Sequence, residues 1–417
     1  MATTNSKTLA IVFAIVFIDM LGVGVLIPVI PLLLTDPTYP YYLGLEGAGG
    51  YMTLGLLIAI FPFMQFLAAP ILGQLSDRVG RKPVLTFSLL GTSLSYVVFA
   101  IGILTKNIPL LFISRAFDGI TGGNISVAQA AIADSTTPNN RARSFGIIGA
   151  AFGLGFVFGP FIGGKLSDPT ILSWFNATTP FWFAAILSFL NMLAVAFYFR
   201  ETLKQKAVGS MHFAQSFINI KGAVLNRKLR PLFATSFLFT SGFTFFTSFM
   251  GVYLISKFSF TQGGIGNYFA IVGICVALTQ ALITGFVAKR FAPHVILRTA
   301  FFGASATIFL IFMARTTWEL YLLTIPNAMF IGLIMANITG LISRSAGSSE
   351  QGHVLGIGGS VQALGQAIPP IIAGYVAGAL TPQTPLLVSS IIILCAALFF
   401  SFAYRPHHEK TVHLTSA

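Results

Sequence analysis

Residues 8–34 read TLAIVFAIVFIDMLGVGVLIPVIPLLL, twenty-seven positions with a single charge, Asp19. A helix needs about 20 consecutive, mostly apolar residues to cross a bilayer, so this run is long enough to span. It outruns the apolar core of a secretory leader and lacks a small-x-small cleavage site, and it therefore reads as the first span of the mature chain. The same reading carried outward finds twelve runs, at 8–34, 49–72, 83–104, 109–133, 144–166, 180–199, 231–256, 265–288, 295–314, 318–343, 353–379 and 386–404. Composition agrees: of 417 residues 55% are hydrophobic and 8% charged, and mean hydropathy is +0.85. A soluble domain is about 25% charged, so a soluble enzyme, a secreted scaffold and a disordered regulator are excluded. Cys275 and Cys395 lie inside apolar runs and act as small hydrophobes, leaving no disulfide framework or cysteine metal site. Forty-one glycines suit helices whose backbones approach closely in lipid. The expected fold class is an all-α membrane protein of twelve transmembrane helices in two pseudo-symmetric six-helix bundles.

The net charge of +13 is a topology signal rather than a nucleic-acid surface. With both termini inside, about nineteen of the twenty-four Lys and Arg fall on cytoplasmic segments. Lys106, Lys165, Lys257 and Arg315 remain outside, and Arg115 lies within a span. The six histidines fall on loops, helix starts or the tail and read as solvated, His407, His408 and His413 included, so no metal site is expected.

The longest hydrophilic stretch, Arg200 to Arg230, divides the chain. The expected organisation is an N-terminal bundle 1–200, a cytoplasmic linker 201–229, a C-terminal bundle 230–404 and a cytoplasmic tail 405–417. An amphipathic helix around Met211–Ile220 would lie on the inner leaflet. A shift of 210 residues sets Gly146, Gly149, Gly155, Gly163 and Gly164 against Gly356, Gly359, Gly365, Ala373 and Gly374, and Pro160 against Pro370. Tandem repeats of this kind imply a two-fold along the membrane normal, with a midplane site that opens to alternate sides as the halves rock.

Between spans two and three the chain reads Gly73-Gln-Leu-Ser-Asp77-Arg78-Val-Gly80-Arg81-Lys82-Pro83-Val-Leu85. This resembles the G-x-L-x-D-R-x-G-R-[RK]-x-x-L signature of the major facilitator superfamily. Span five, with Gly146, Gly155, Gly159, Pro160, Gly163 and Gly164, is similar to the motif of the superfamily's proton-driven exporters. Arg115 with Gly119 resembles a third motif, R-x-x-x-G, and span one resembles the opening of tetracycline/H+ antiporters and their multidrug relatives. The resemblance implies that Asp77 and Arg81 join Asp134 in a network latching helices two, four and eleven in the outward-facing state. It also implies that the helix-five ridge meets the opposite half and seals the cavity, and that the protein is a monomer. Gly73 and Gly80 fit a tight helix contact and a short reversal. In the second half Arg344 holds the repeat position of Asp134, so the latch is expected to be asymmetric. Tetracycline antiporters are expected to carry an acid in helix nine and a histidine in helix eight. Neither span has one here, so tetracycline does not follow as the substrate.

A charge at mid-bilayer costs at least about 2.5–3.5 kcal/mol, which marks Asp19, Arg115 and Asp118 as functional candidates. Arg115 and Asp118, three apart on one helix, form a pair that either works or merely neutralises itself to let the helix insert. With both acids ionised the trio sums to −1, and one proton brings it to zero. Arginine does not release its proton in practice, so Asp19 or Asp118 carries the coupling proton and Arg115 competes for it or expels it.

Gln65, Asn124, Gln129, Gln280, Asn327, Asn337, Gln362 and Gln366 are the uncharged polar candidates for substrate contact, with interhelical hydrogen bonding as the alternative for each. Aromatic walls with few fixed charges suit an amphipathic, weakly charged organic solute. The leading reading is a proton-coupled exporter of drug-like or metabolite compounds in a bacterial inner membrane, with no cofactor beyond the proton gradient and no nucleic-acid partner. A proton-coupled transporter of a sugar, siderophore or other metabolite, and a non-transporting receptor or scaffold, stay open. No H-E-x-x-H, Walker loop or nucleophile-base set supports an enzyme.

Overall fold

The computed structural model describes residues 6–45, 47–136, 138–207, 211–345 and 351–404. The expected tail, 405–417, and the Arg344 side chain lie outside the described residues. Among them every regular element is helical: α1 Ser6–Thr35, α2 Ala48–Val79, α3 Arg81–Leu104, α4 Ile108–Thr121, α5 Ile125–Ser135, α6 Pro138–Leu166, α7 Thr179–Tyr198, α8 Gln215–Leu225, α9 Arg230–Phe258, α10 Gln262–Leu278, α11 Thr284–Ala288, α12 Pro293–Met313, α13 Thr317–Ser345, α14 Gln351–Ala379 and α15 Thr384–Ala403. In lipid a backbone must satisfy its own hydrogen bonds, and uninterrupted helices do so.

Ten segments are apolar and long enough to cross a membrane. Two further rods of comparable length fall outside that set for identifiable reasons. The expected span 109–133 is not one helix, because a 3₁₀ turn at Gly122–Asn124 separates α4 from α5. The apolarity of α14 is diluted by Gln362, Gln366, its glycines and Pro369-Pro370. The run expected at 265–288 is also interrupted, by a π-helical turn at Thr279–Ile283 between α10 and α11. The linker helix α8 begins four residues later than the stretch read from the sequence.

Among the described residues most buried apolar side chains fall into three clusters. One draws only on residues between Val12 and Phe199, another only on residues between Ala223 and Phe400. The third joins residues of α1, α2, α3 and α7 to Phe245, Phe249, Val252, Ala373 and Ala377.

The 210-residue repeat reappears as matching joints. A Cβ added at Gly266 of α10 would lie 2.7 Å from the Pro160 carbonyl oxygen and 3.1 Å from Gly164 Cα on α6. One added at Gly55 of α2 would collide with the Pro370 carbonyl oxygen and lie 3.2 Å from Gly374 Cα on α14. Backbone thus meets backbone twice, at equivalent places, between the halves. These contacts, with Gly378 against Ala48 and Gly251 against Pro31, lie on the side away from the start of α1 and the end of α15. On the terminus side Gly146, Gly149, Gly153, Gly356 and Gly359 have no atom of the described residues within 4 Å of an added Cβ. The halves therefore meet on the far side and splay on the terminus side.

The ridge of α6 faces differently from the expectation. Cβ atoms at Gly155, Gly159 and Gly163 would press on Met20, Leu21, Gly24 and Val25 of α1 in the same half, whereas α6 meets the opposite half through Gly164, the Pro160 carbonyl, Val157 against Gly273, and Phe156 against Phe269. The spacing defines one face of the helix, but three glycines at intervals of four fit whichever neighbour lies closest. Gly159→Leu, whose Cβ starts 2.7 Å from the Leu21 carbonyl oxygen, is therefore expected to separate α1 from α6 and lower the folded yield in detergent gel filtration. Gly164→Leu, 2.6 Å from the Gln262 carbonyl oxygen, is expected to leave each half folded and to part α6 from α10 at the joint, read as a lowered melting temperature with the folded yield kept.

Candidate functional site

Asp19 lies on α1, and Arg115 and Asp118 on α4. All three are buried, with residue exposures of 6%, 5% and 2%. Arg115 Nη1 donates to Asp118 Oδ2 at 2.5 Å, and the guanidinium lies 4.4 Å above the Phe61 ring of α2. The Arg115 Nε donates to no acceptor among the described residues. Asp19 differs. No cation pairs with it, and its one polar neighbour is the Asn124 side-chain amide, which faces it without closing to full hydrogen-bond geometry and has no other partner among the described residues. The site holds two carboxylates and one guanidinium, but the guanidinium is committed to one of them.

The acids share a cavity of about 10 Å³, roughly one water in size, lined by Phe61, Gln65, Thr92 and Tyr96 as well as Asp19 and Asp118. Glycines assemble it. A side chain at Gly22 would overlap the Tyr96 hydroxyl, and one at Gly119 the Phe61 backbone. At Gly123 a Cβ would lie 2.9 Å from the Ala69 nitrogen, so α4 and α5 lie directly on α2. Gln65 Nε2 donates to the Gly122 carbonyl at 2.8 Å and Ser126 Oγ lies 2.9 Å from that of Gly123, satisfying backbone groups at the 3₁₀ break, while the same Ser126 hydroxyl lies 2.8 Å from the Ala69 carbonyl of α2. The break turns Asn124 toward Asp19.

The charged turn between α2 and α3 forms a second constellation. Arg81, itself buried, pairs with Asp77 at 2.6 Å and Asp134 at 3.0 Å and donates to Ser76 Oγ at 2.5 Å. Arg78 takes part in none of the ion pairs among the described residues. Gly80 adopts φ +114°, a conformation open only to glycine. Gly80→Ala is therefore expected to cost about 1–3 kcal/mol, read as a lowered melting temperature. Gly73 is less constrained than expected: a Cβ there would make an ordinary contact with Ser126 at 3.5 Å.

Glu201, which the sequence did not single out, braces this turn. Its carboxylate accepts from the backbone N–H groups of Arg81 at 2.9 Å and Lys82 at 3.1 Å, and from those of Thr202 and Leu203. Partial burial alone would raise its pKa, but these donations outweigh it and hold the carboxyl below the usual glutamate range. The brace is in force at neutral pH and weakens as pH falls through that lowered value. The only signal in the sequence was that Glu201 is the sole acid between Arg200 and Arg230.

The eight polar candidates do not converge. Gln65 and Asn124 belong to the acid site, whereas Asn327 Nδ2 donates to Thr307 Oγ1 on α12 at 3.0 Å, and Asn337 Nδ2 to the Leu333 carbonyl of its own helix at 2.8 Å. Gln362 is half-buried, and Gln129, Gln280 and Gln366 are exposed.

A model of the Major Facilitator Superfamily matches residues 12–368 and 232–416. The chain belongs to the major facilitator superfamily. Within it, the chain is 32% identical over 375 residues to the class D tetracycline resistance protein of Salmonella ordonez, covering 89% of this chain and 90% of that one. It is 29% identical over 374 residues to multidrug resistance protein 1 of Bacillus subtilis strain 168, covering 88% and 89%. A solved bacterial homologue of the human lysosomal transporter Spinster, in an inward-facing and occupied conformation, matches with TM-score 0.76 over 97% of this chain and 99% of that one, at 14% identity. That likeness concerns the fold. The protein is accordingly a multi-pass membrane protein of a transporter family, and its relatives include tetracycline and multidrug efflux proteins.

Proposed function

We propose that this protein is a proton-coupled exporter of amphipathic, weakly charged organic compounds, working by alternating access between two six-helix bundles of a twelve-helix fold. The observation that carries the reading is Asp19, a buried carboxyl with no cation of its own and only the neutral Asn124 amide beside it, sharing a cavity with Asp118, whose charge Arg115 already balances. In hydrocarbon such a group is tolerated readily only when protonated, so it takes up a proton and gives it back when the surroundings become polar. Arg115 pairs with Asp118 and leaves Asp19 to exchange. The two glycine joints let the halves rock about the far side. In the same reading the linker 201–229 and both termini face the cytoplasm of a bacterial inner membrane, and one chain works alone without cofactor.

The test is substrate-driven proton movement in proteoliposomes, with cationic dyes, tetracycline and neutral amphipaths as the solute panel. Export coupled to an imposed pH gradient supports the reading. Facilitated flux indifferent to that gradient would overturn it.

A further inference from the structure

A surface helix ordinarily turns its apolar face inward and its polar face to water. The linker helix α8 is reversed. Toward the protein it presents Ser216 and Asn219, both buried, beside the smaller apolar contacts of Ile220 and Ala223. Outward it presents Phe217, Ile218, Val224 and Leu225, with Phe213 just before it, which are 49% to 71% exposed; the Phe217 ring also touches the Phe66 ring of α2 edge-on. The inward polar groups have partners in both halves. Ser216 Oγ donates to the Phe66 carbonyl of α2, and Asn219 Nδ2 donates to Ser360 Oγ of α14 at 3.0 Å. The approach to α8 is fixed by a reciprocal pair: His212 N donates to Gln74 Oε1 at 2.8 Å, and Gln74 Nε2 to the His212 carbonyl at 3.1 Å. Gly222 lies against Ile357. The helix thus bridges α2 and α14 on the terminus side, where the halves splay.

Five large apolar side chains turned outward would be a poor surface in water, and they match the acyl boundary of a leaflet. The charges select which leaflet surface. Arg200, Lys204, Lys206, Lys221, Arg227, Lys228 and Arg230 are all exposed around this helix. The one acid of the segment, Glu201, is occupied by backbone N–H groups. Cations at a membrane surface with no answering carboxylate in their own segment fit anionic phosphate headgroups.

We propose that α8 is a strap seated in an anionic leaflet, its outward face among acyl chains and its flanking cations on lipid phosphates, while its inward face ties α2 to α14. The proposal goes beyond proton coupling and stands or falls without Asp19.

The test uses the full chain carrying Phe217→Trp, reconstituted in vesicles with brominated phosphatidylcholine or brominated phosphatidylglycerol at equal mole fraction. Trp174, Trp182 and Trp318 lie at the opposite interface, and their quenching cancels in the difference from the unsubstituted chain. Residue 217 is expected to be quenched by both lipids, and about two-fold or more strongly by the phosphatidylglycerol. That preference is expected to vanish at high salt and in Lys204→Gln/Lys206→Gln/Arg227→Gln/Lys228→Gln. Absence of quenching at 217 places the face in water or against another protein and overturns the proposal. Equal quenching by the two lipids overturns its headgroup selectivity.

Discussion

Replacement of Asp19 by Asn is expected to silence substrate-driven proton movement while leaving the protein folded. The substitution keeps the shape of a protonated carboxyl and removes its ability to ionise. No partner is orphaned, since the introduced amide keeps a carbonyl oxygen toward Asn124 and the Arg115 guanidinium is held by Asp118. The melting temperature should therefore stay level or rise, because a group that must be kept neutral at a cost becomes one that is always neutral. In proteoliposomes Asp19→Asn should still exchange solute in counterflow, with proton uptake falling to that of empty vesicles. Asp19→Glu, which retains the titrating group one methylene further out, should restore part of the coupling. Undiminished proton movement in Asp19→Asn would remove the carboxylate from the mechanism.

Asp118→Asn is expected to give the opposite signature, a protein that fails to fold stably. Loss of that carboxylate leaves a guanidinium, 5% exposed, with the Phe61 face as its remaining described neighbour of opposing polarity. Breaking a buried pair by removing one partner costs about 3–5 kcal/mol, against a total stability of about 5–15 kcal/mol for a typical protein. Arginine cannot escape by deprotonation. Detergent-solubilised Asp118→Asn should elute from gel filtration mostly as aggregate, and Arg115→Gln added to it should restore a single folded peak without restoring transport. Wild-type elution of Asp118→Asn would show that the pair does not hold the site together. The contrast also separates two acids that look alike in the sequence: one is expendable for folding, the other is not.

The acid site was legible because charge in hydrocarbon is conspicuous. Asp19, Arg115 and Asp118 stand out against runs otherwise apolar, and Pro160 and Pro370 betray the repeat because few residues can serve where backbones touch. Tyr96 was not legible. Among eleven tyrosines and forty-two phenylalanines it looks like any aromatic of a span, and only the missing side chain at Gly22 gives its hydroxyl room. The break at Gly122–Asn124 was hidden for a related reason: a Gly-Gly pair inside a membrane helix is as readily a packing face as an interruption, and contact with α2 decides between them. The linker helix was expected, but its inward contacts resisted reading, because periodicity reveals that two faces differ without telling which neighbours each will meet. The choice was made by the Phe66 carbonyl and Ser360, more than a hundred residues away on either side.

The two joints at Gly55–Pro370 and Pro160–Gly266 have one more consequence. Side chains that interlock across an interface must change rotamer whenever the partners turn, and each such change adds a small barrier. Bare main chain on bare main chain has no teeth to disengage. Under the proposed rocking the two joints act as low-friction bearings, and the barrier falls instead on the side chains packed across the halves, Phe245, Phe249 and Val252 among them, and on the water and cargo that enter and leave the gap.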